Sequence, residues 1–118
     1  MMFLQLVYKD LEIISLSKML VQKCYELTQS LPEDERKNIG QQIKNAALNA
    51  YLKLSEGAFL SKKKRKRCFA DARVSLILLD ANLEAFLQLG FSSEAELQDI
   101  SFLLVSCYKK LNKLIKKK

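Results

Sequence analysis

Apolar residues recur along this chain at intervals of three and four, the spacing that lines one face of an α-helix. Ile13, Leu16, Leu20, Cys24, Leu27 and Leu31 form the first stripe and predict a helix over about 9–30. Pro32 punctuates its end, with Ser30 or Leu31 placed to cap the next helix. A second stripe, Ile39, Ile43, Ala46, Ala47, Ala50 and Leu54, predicts a helix over about 33–56. Glu33, Asp34 and Glu35 open it where carboxylates favour the helix dipole. Its alanines imply a close neighbouring helix, and Gly57 stands as a left-handed terminator. Ala72, Leu76, Leu79, Leu83 and Phe86 predict a third helix over about 61–89, closed by Gly90. Leu97, Ile100, Leu104, Cys107, Leu111 and Leu114 predict a fourth over about 93–116, with Ser93 and Glu96 as its capping box.

Strand signals are missing: no stretch sustains an apolar–polar alternation, and no Asn-Gly or Asp-Gly turn marks a hairpin. Short connections make sequential helices antiparallel neighbours. The expected fold is therefore all-α, one antiparallel up-down-up-down four-helix bundle spanning 1–118. Beyond the core stripes, Ile14, Val21, Tyr25, Leu48, Leu52, Leu78, Phe102, Val105 and Tyr108 fall on flanking faces. That is more apolar surface than one bundle needs, and it predicts self-association.

Charge changes the picture more than composition does. The net charge is +7, but residues 1–61 carry as many acidic as basic groups, and in 71–107 Arg73 is the lone base among carboxylates. The excess comes from Lys62-Lys63-Lys64-Arg65-Lys66-Arg67 and from the tail Lys109, Lys110, Lys113, Lys116, Lys117 and Lys118. A helix start carries partial positive charge, so cations there are disfavoured by tenths of a kcal/mol each. An external polyanion supplies a reason to gather six of them, and a phosphate backbone is the usual one. The alternative is a solvated basic face kept for solubility.

In an up-down bundle the third helix begins at the end where the fourth finishes, so both basic clusters converge there. Glu33, Asp34, Glu35, Glu94, Glu96 and Asp99 gather at the other end. The candidate nucleic-acid contacts are Lys62, Lys63, Lys64, Arg65, Lys66 and Arg67, with Lys109, Lys110 and Lys113 as a second edge. Phosphate contacts bring affinity with little sequence information. Phe59 and Phe69 are the aromatics nearest the cluster, and both read more readily as core than as stacking platforms.

The residue inventory argues against an enzyme. The chain has no histidine, so Ser-His-Asp and Cys-His pairs and imidazole metal ligands are impossible. Gly-rich phosphate loops and dinucleotide fingerprints do not occur. Ser15-Leu-Ser-Lys18 and Ser61-Lys-Lys-Lys64 match S-x-x-K only literally, without the partner motifs. No cofactor and no metal are expected. Three cysteines without a CxxC pair point to a reducing compartment. Cys24 and Cys107 fall on core stripes, whereas Cys68 follows the basic run, which favours its thiolate. The stretch Met1–Val7 lacks the basic region of a signal peptide, and no segment approaches the length of a membrane span. A cytoplasmic protein without membrane contact is expected.

The order of motifs resembles a known superfamily. Asp10-Leu-Glu12, Tyr25-Glu-Leu-Thr28 running into Leu31-Pro32, Gln42-Ile43-Lys44-Asn45-Ala46-Ala47, Ser55-Glu56-Gly57 and Leu89-Gly90-Phe91-Ser92 carry the resemblance over about residues 8–115. The superfamily comprises four-helix-bundle proteins encoded in intervening sequences of bacterial large-subunit ribosomal RNA, together with Avd, the accessory variability determinant of diversity-generating retroelements. The ribosomal branch usually carries a Ser-Ile-Pro-x-Asn-Ile-Ala-Glu-Gly-like stretch after the alanine pair. Here Leu48-Asn-Ala-Tyr-Leu-Lys-Leu-Ser-Glu56-Gly57 lacks the proline, so the second helix should continue unkinked, which looks more like Avd. The Gly-Gly-Trp-like ending of many Avd proteins is missing after Leu111-Asn-Lys-Leu-Ile115. The resemblance implies a homopentamer around a central channel that binds template RNA or cDNA and partners a reverse transcriptase during mutagenic reverse transcription. Alternatives are an intervening-sequence protein of unassigned role, or a protein-docking module with a basic end.

Overall fold

The computed structural model describes Leu4 and residues 11–116. Among them four helices form and no strand does, and the helices pack as an all-α bundle. Helix α1 runs Glu12–Thr28. Helix α2, residues 33–59, opens with the turn Glu33–Glu35, widens to a π-helical turn over Arg36–Gly40, and continues as α-helix over Gln41–Phe59. Helix α3 runs Lys62–Gln88 and α4 runs Gln98–Lys116. The expected start of α1 at Lys9 lies outside the described residues. The unbroken course expected for 48–57 is observed.

The predicted stripes form the core. Leu20, Cys24, Ile43, Ala50, Leu54, Ala72, Leu79, Cys107 and Leu111 are sealed from solvent. Ile14, read from the sequence as a flanking residue, is buried too, since it faces the bundle beside Ile13. Two hydroxyls share this interior because each bonds its own helix: Ser17 Oγ donates to the Ile14 carbonyl at 2.9 Å and Thr28 Oγ1 to that of Tyr25 at 3.1 Å. Helices α1 and α3 each pack against α2 and α4, and the α2–α3 contact is the most extensive. Lys110 on α4 reaches Glu12 at the start of α1, and Arg73 on α3 donates to Asn112 on α4 at 3.1 Å. The first contact sets the end of α4 against the start of α1, and the two-residue turn at Leu60 and Ser61 folds α3 back onto α2.

Helix ends depart from expectation in three places. Gly57 does not terminate α2; it is buried inside the helix, two residues before its end. A Cβ there would stand 2.8 Å from Cys68 Cβ and 3.0 Å from the Phe69 ring, so its role is close approach of α3 rather than a left-handed cap. Neither Ser30 nor Leu31 caps α2, because Pro32 occupies the capping position in extended geometry. The Ser93–Glu96 box does form, with Glu96 N–H donating to Ser93 Oγ and Ser93 N–H to Glu96 Oε1, both at 3.3 Å. It closes a tight turn over 94–97, so regular α4 begins at Gln98 rather than near Ser93.

The end of α3 matches expectation. Gly90 adopts φ 84°, its N–H donates to the Leu87 carbonyl, and Phe91 N–H reaches back to that of Phe86. The Phe86 and Phe91 rings, 5.5 Å apart, supply the hydrophobic contact that accompanies this kind of stop.

Two predictions concern stability. Gly57→Ala gains up to about 1 kcal/mol of helix propensity but forces Cβ into Cys68, an overpacking cost of about 1–3 kcal/mol. A lower thermal midpoint than wild type is expected; an unchanged or higher one contradicts the close approach. Burial raises the Cys24 thiol from about 9 to about 12 and the Cys107 thiol to about 11. Above pH 9 the unfolded chain loses these protons while the fold retains them, so the folded state loses stability as pH rises toward 11–12. The slope is up to about 1.4 kcal/mol per pH unit for each thiol. Urea midpoints between pH 8 and 10.5 should fall less steeply in a Cys24→Ala, Cys107→Ala variant.

Candidate nucleic-acid interface

Helix α3 starts where a local reading would not put a cation. Ser61 holds the extended backbone of a cap, yet its side chain makes no capping bond, and Lys62, Lys63 and Lys64 fill the first turn. All six basic side chains from Lys62 to Arg67 are exposed. No carboxylate among the described residues pairs with any of them; the nearby Glu56 pairs with Lys53 at 3.4 Å instead.

One of the six has a structural task. Arg65 folds back across the α2–α3 turn, its Nε donating to the Gly57 carbonyl and its Nη2 to those of Ala58 and Leu60, each at 3.2 Å. A helix leaves its last carbonyls without partners, and a guanidinium fork satisfies them while complementing the negative end of the dipole. Arg65 thus caps α2, which lacks a glycine cap. It is not free for a ligand in this arrangement, unlike Lys62, Lys63, Lys64, Lys66 and Arg67. The sequence offered no signal that separates it from Arg67 in the same run.

The second basic edge is close by but distinct. Lys109, Lys110 and Lys113 line one cleft between α1 and α4, together with Glu12, Leu16, Phe102 and Ser106. Lys110 Nζ sits 2.8 Å from Glu12 Oε2, so that cation is neutralised. Lys109 and Lys113 have no carboxylate partner among the described residues. Lys109 lies level with Leu76 and Ile77 of α3, whereas the cluster at 62–67 projects beyond Arg73 in the other direction. At about 1.5 Å per residue the two groups are separated by roughly 15 Å along the bundle. Lys113 and Lys116 also occupy the last turn of α4, where cations complement the dipole. Lys117 and Lys118 lie outside the described residues.

The remaining candidates divide. Phe69 is core and Phe59 is exposed at the end of α2. Cys68 is buried under the basic turn, so reagents reach it poorly. No group of residues suited to hold a metal ion occurs among the described residues, and no helix there is long and apolar enough to cross a membrane. Exposed apolar side chains mark the outer face: Val74, Ile77 and Leu78 on α3, and Phe102 and Val105 on α4.

Comparison with known families gives a match to the 23S rRNA-intervening sequence protein family, over residues 9–113. No curated protein matches the chain.

Removing the Arg65 cap should be felt as stability. Arg65→Gln is expected to lower unfolding free energy by about 1 kcal/mol, the worth of a charge-assisted bond near the surface. For the solvated Lys64→Gln the change should stay within about 0.5 kcal/mol. Equal midpoints for the two variants in urea would show that the fork contributes nothing.

Proposed function

Because the chain belongs to the 23S rRNA-intervening sequence protein family, we propose that it works as a non-enzymatic, self-associating nucleic-acid-binding protein of the cytoplasm. The observation that carries this reading is the turn at the start of α3. There Lys62, Lys63, Lys64, Lys66 and Arg67 stand exposed without a carboxylate partner among the described residues. The bundle interior gains nothing from them. A polyanion does: each phosphate neutralised releases condensed counterions, which supplies affinity with little sequence preference. The exposed Val74, Ile77 and Leu78 of α3, with Val105 of α4, support assembly of several copies, and the resemblance to Avd makes a pentamer the expected number. Copies related by a ring would repeat the basic turn around one rim.

A second, finer reading is the Avd-like role, positioning template RNA or cDNA for a reverse transcriptase. The unbroken helix over Gln41–Phe59 favours it, since the proline-bearing ribosomal branch would interrupt that segment. A reverse-transcriptase gene beside this one would support that role, whereas flanking ribosomal RNA would favour the ribosomal branch.

Binding of labelled single-stranded RNA and DNA across a salt series tests the main reading. Wild type should show log K falling with log salt at a slope of about −0.7 per phosphate engaged. The variant carrying Gln at 62, 63, 64, 66 and 67, with Arg65 kept, should lose most of its affinity and flatten the slope while retaining its urea midpoint. Equal, weak binding by both proteins overturns the proposal and leaves the basic end to an acidic protein surface.

A further inference from the structure

Phe102 presents an anomaly. It is 70 % exposed on α4, more than any aromatic ring of the core helices needs to be. It lines the open cleft between α1 and α4 together with Leu16, and Ser106, Lys109 and Lys113 continue along the same face of α4. Their spacing of four, three and four is one helical stripe, opposite the buried stripe of Ile100, Leu104, Cys107 and Leu111. The cleft has a volume of about 310 Å³, at the lower end for small-ligand sites. An exposed ring, a short apolar wall, one hydroxyl and two unpaired ammonium groups are the parts of a single-strand subsite, in which a base stacks and cations hold the backbone.

We infer that this cleft takes one nucleobase of a single-stranded nucleic acid, stacked on Phe102, with the backbone running on along α4 so that Lys109 and then Lys113 meet successive phosphates beyond that base. The inference rests on the nucleic-acid reading above and adds a ligand chemistry that the cluster at 62–67 lacks. Among the described residues, Glu12 is the only carboxylate lining the cleft, and Lys110 already holds it. The net charge left for a ligand is therefore positive. A single aromatic platform with an apolar wall one leucine long suits a flat base better than an acyl chain. Stacking also separates strands by type: an unpaired base offers its face, whereas a duplex keeps its faces inside the stack. The cluster at 62–67 would bind either kind of strand, and the cleft would select the single-stranded one.

The test compares wild type with variants of the cleft and of the 62–67 cluster, on a single strand and on a duplex of equal length. Phe102→Ala should weaken single-strand binding roughly 5- to 150-fold, the range for loss of one stacked base, with an unchanged salt slope and unchanged duplex binding. The Lys109→Gln, Lys113→Gln variant should instead lower the single-strand salt slope by roughly one unit per lysine that meets a phosphate. The native chain has no tryptophan, so Phe102→Trp provides a lone reporter whose emission should be quenched by a single strand and not by a duplex. Wild-type affinity in the Phe102→Ala protein, with binding still lost in the 62–67 variant, overturns the stacking subsite alone. Absence of any binding by wild type overturns both readings. A Phe102→Ala protein that sediments as a smaller species identifies the ring as a subunit contact and likewise overturns the inference.

Discussion

The α2–α3 hairpin depends on a place where α2 has no side chain. At Gly57 a Cβ would collide with Cys68 Cβ and the Phe69 ring. Because it is missing, α3 begins directly against the last turn of α2. That closeness acts on the residues around it in two ways. Phe69 and Cys68 are drawn into the core although they come directly after a run of six cations. Arg65 comes within hydrogen-bond reach of the Gly57, Ala58 and Leu60 carbonyls and closes the helix that glycine does not. The remaining cations thus stand on a turn that Arg65 ties to the preceding helix.

The same closeness alters the electrostatic account of the basic run. Judged on α3 alone, cations in the first turn oppose the dipole. In the bundle that turn abuts the C-terminal end of α2, and the C-terminal end of α4 lies at the same pole. The carbonyl ends of α2 and α4 therefore stand beside the amide ends of α3 and of α1, where Glu12 meets Lys110, so the cations of the first turn of α3 do not face amide ends alone. Acidic first turns at Glu33–Glu35 and Asp99 complement the opposite pole. The charge separation along the bundle is thus compatible with stability at both poles, and the basic pole remains available to an anion.

Most of the architecture was legible because a stripe at intervals of three and four has one helical solution. Every residue named for the core of α2 is buried, as is every one named for α3. Boundaries were less legible. The motif Ser55-Glu56-Gly57 looks like a helix stop, since local sequence cannot distinguish a glycine that needs positive φ from one that needs space. Gly90 needs the first and Gly57 the second. Ser93 and Glu96 do bond as a box, yet the turn they close delays the regular helix to Gln98. For the candidate site, exposure of the cluster at 62–67 could be read from its composition. The sorting of its members could not, because Arg65 is distinguished only by carbonyls from the preceding helix.

Taken alone, the amino-acid sequence determined helix number, the buried stripes and the two poles of charge, since each depends on spacing along one chain or on counting side chains. Tertiary packing decided which cations are committed and which are free. It paired Lys110 with Glu12 across 98 positions of sequence, turned Arg65 into a cap, and brought Glu12 and Leu16 of α1 against the α4 stripe of Phe102, Lys109 and Lys113 to make a cleft. Those outcomes turn on distances of a few ångströms between separate helices, and such distances exist only once the helices have packed.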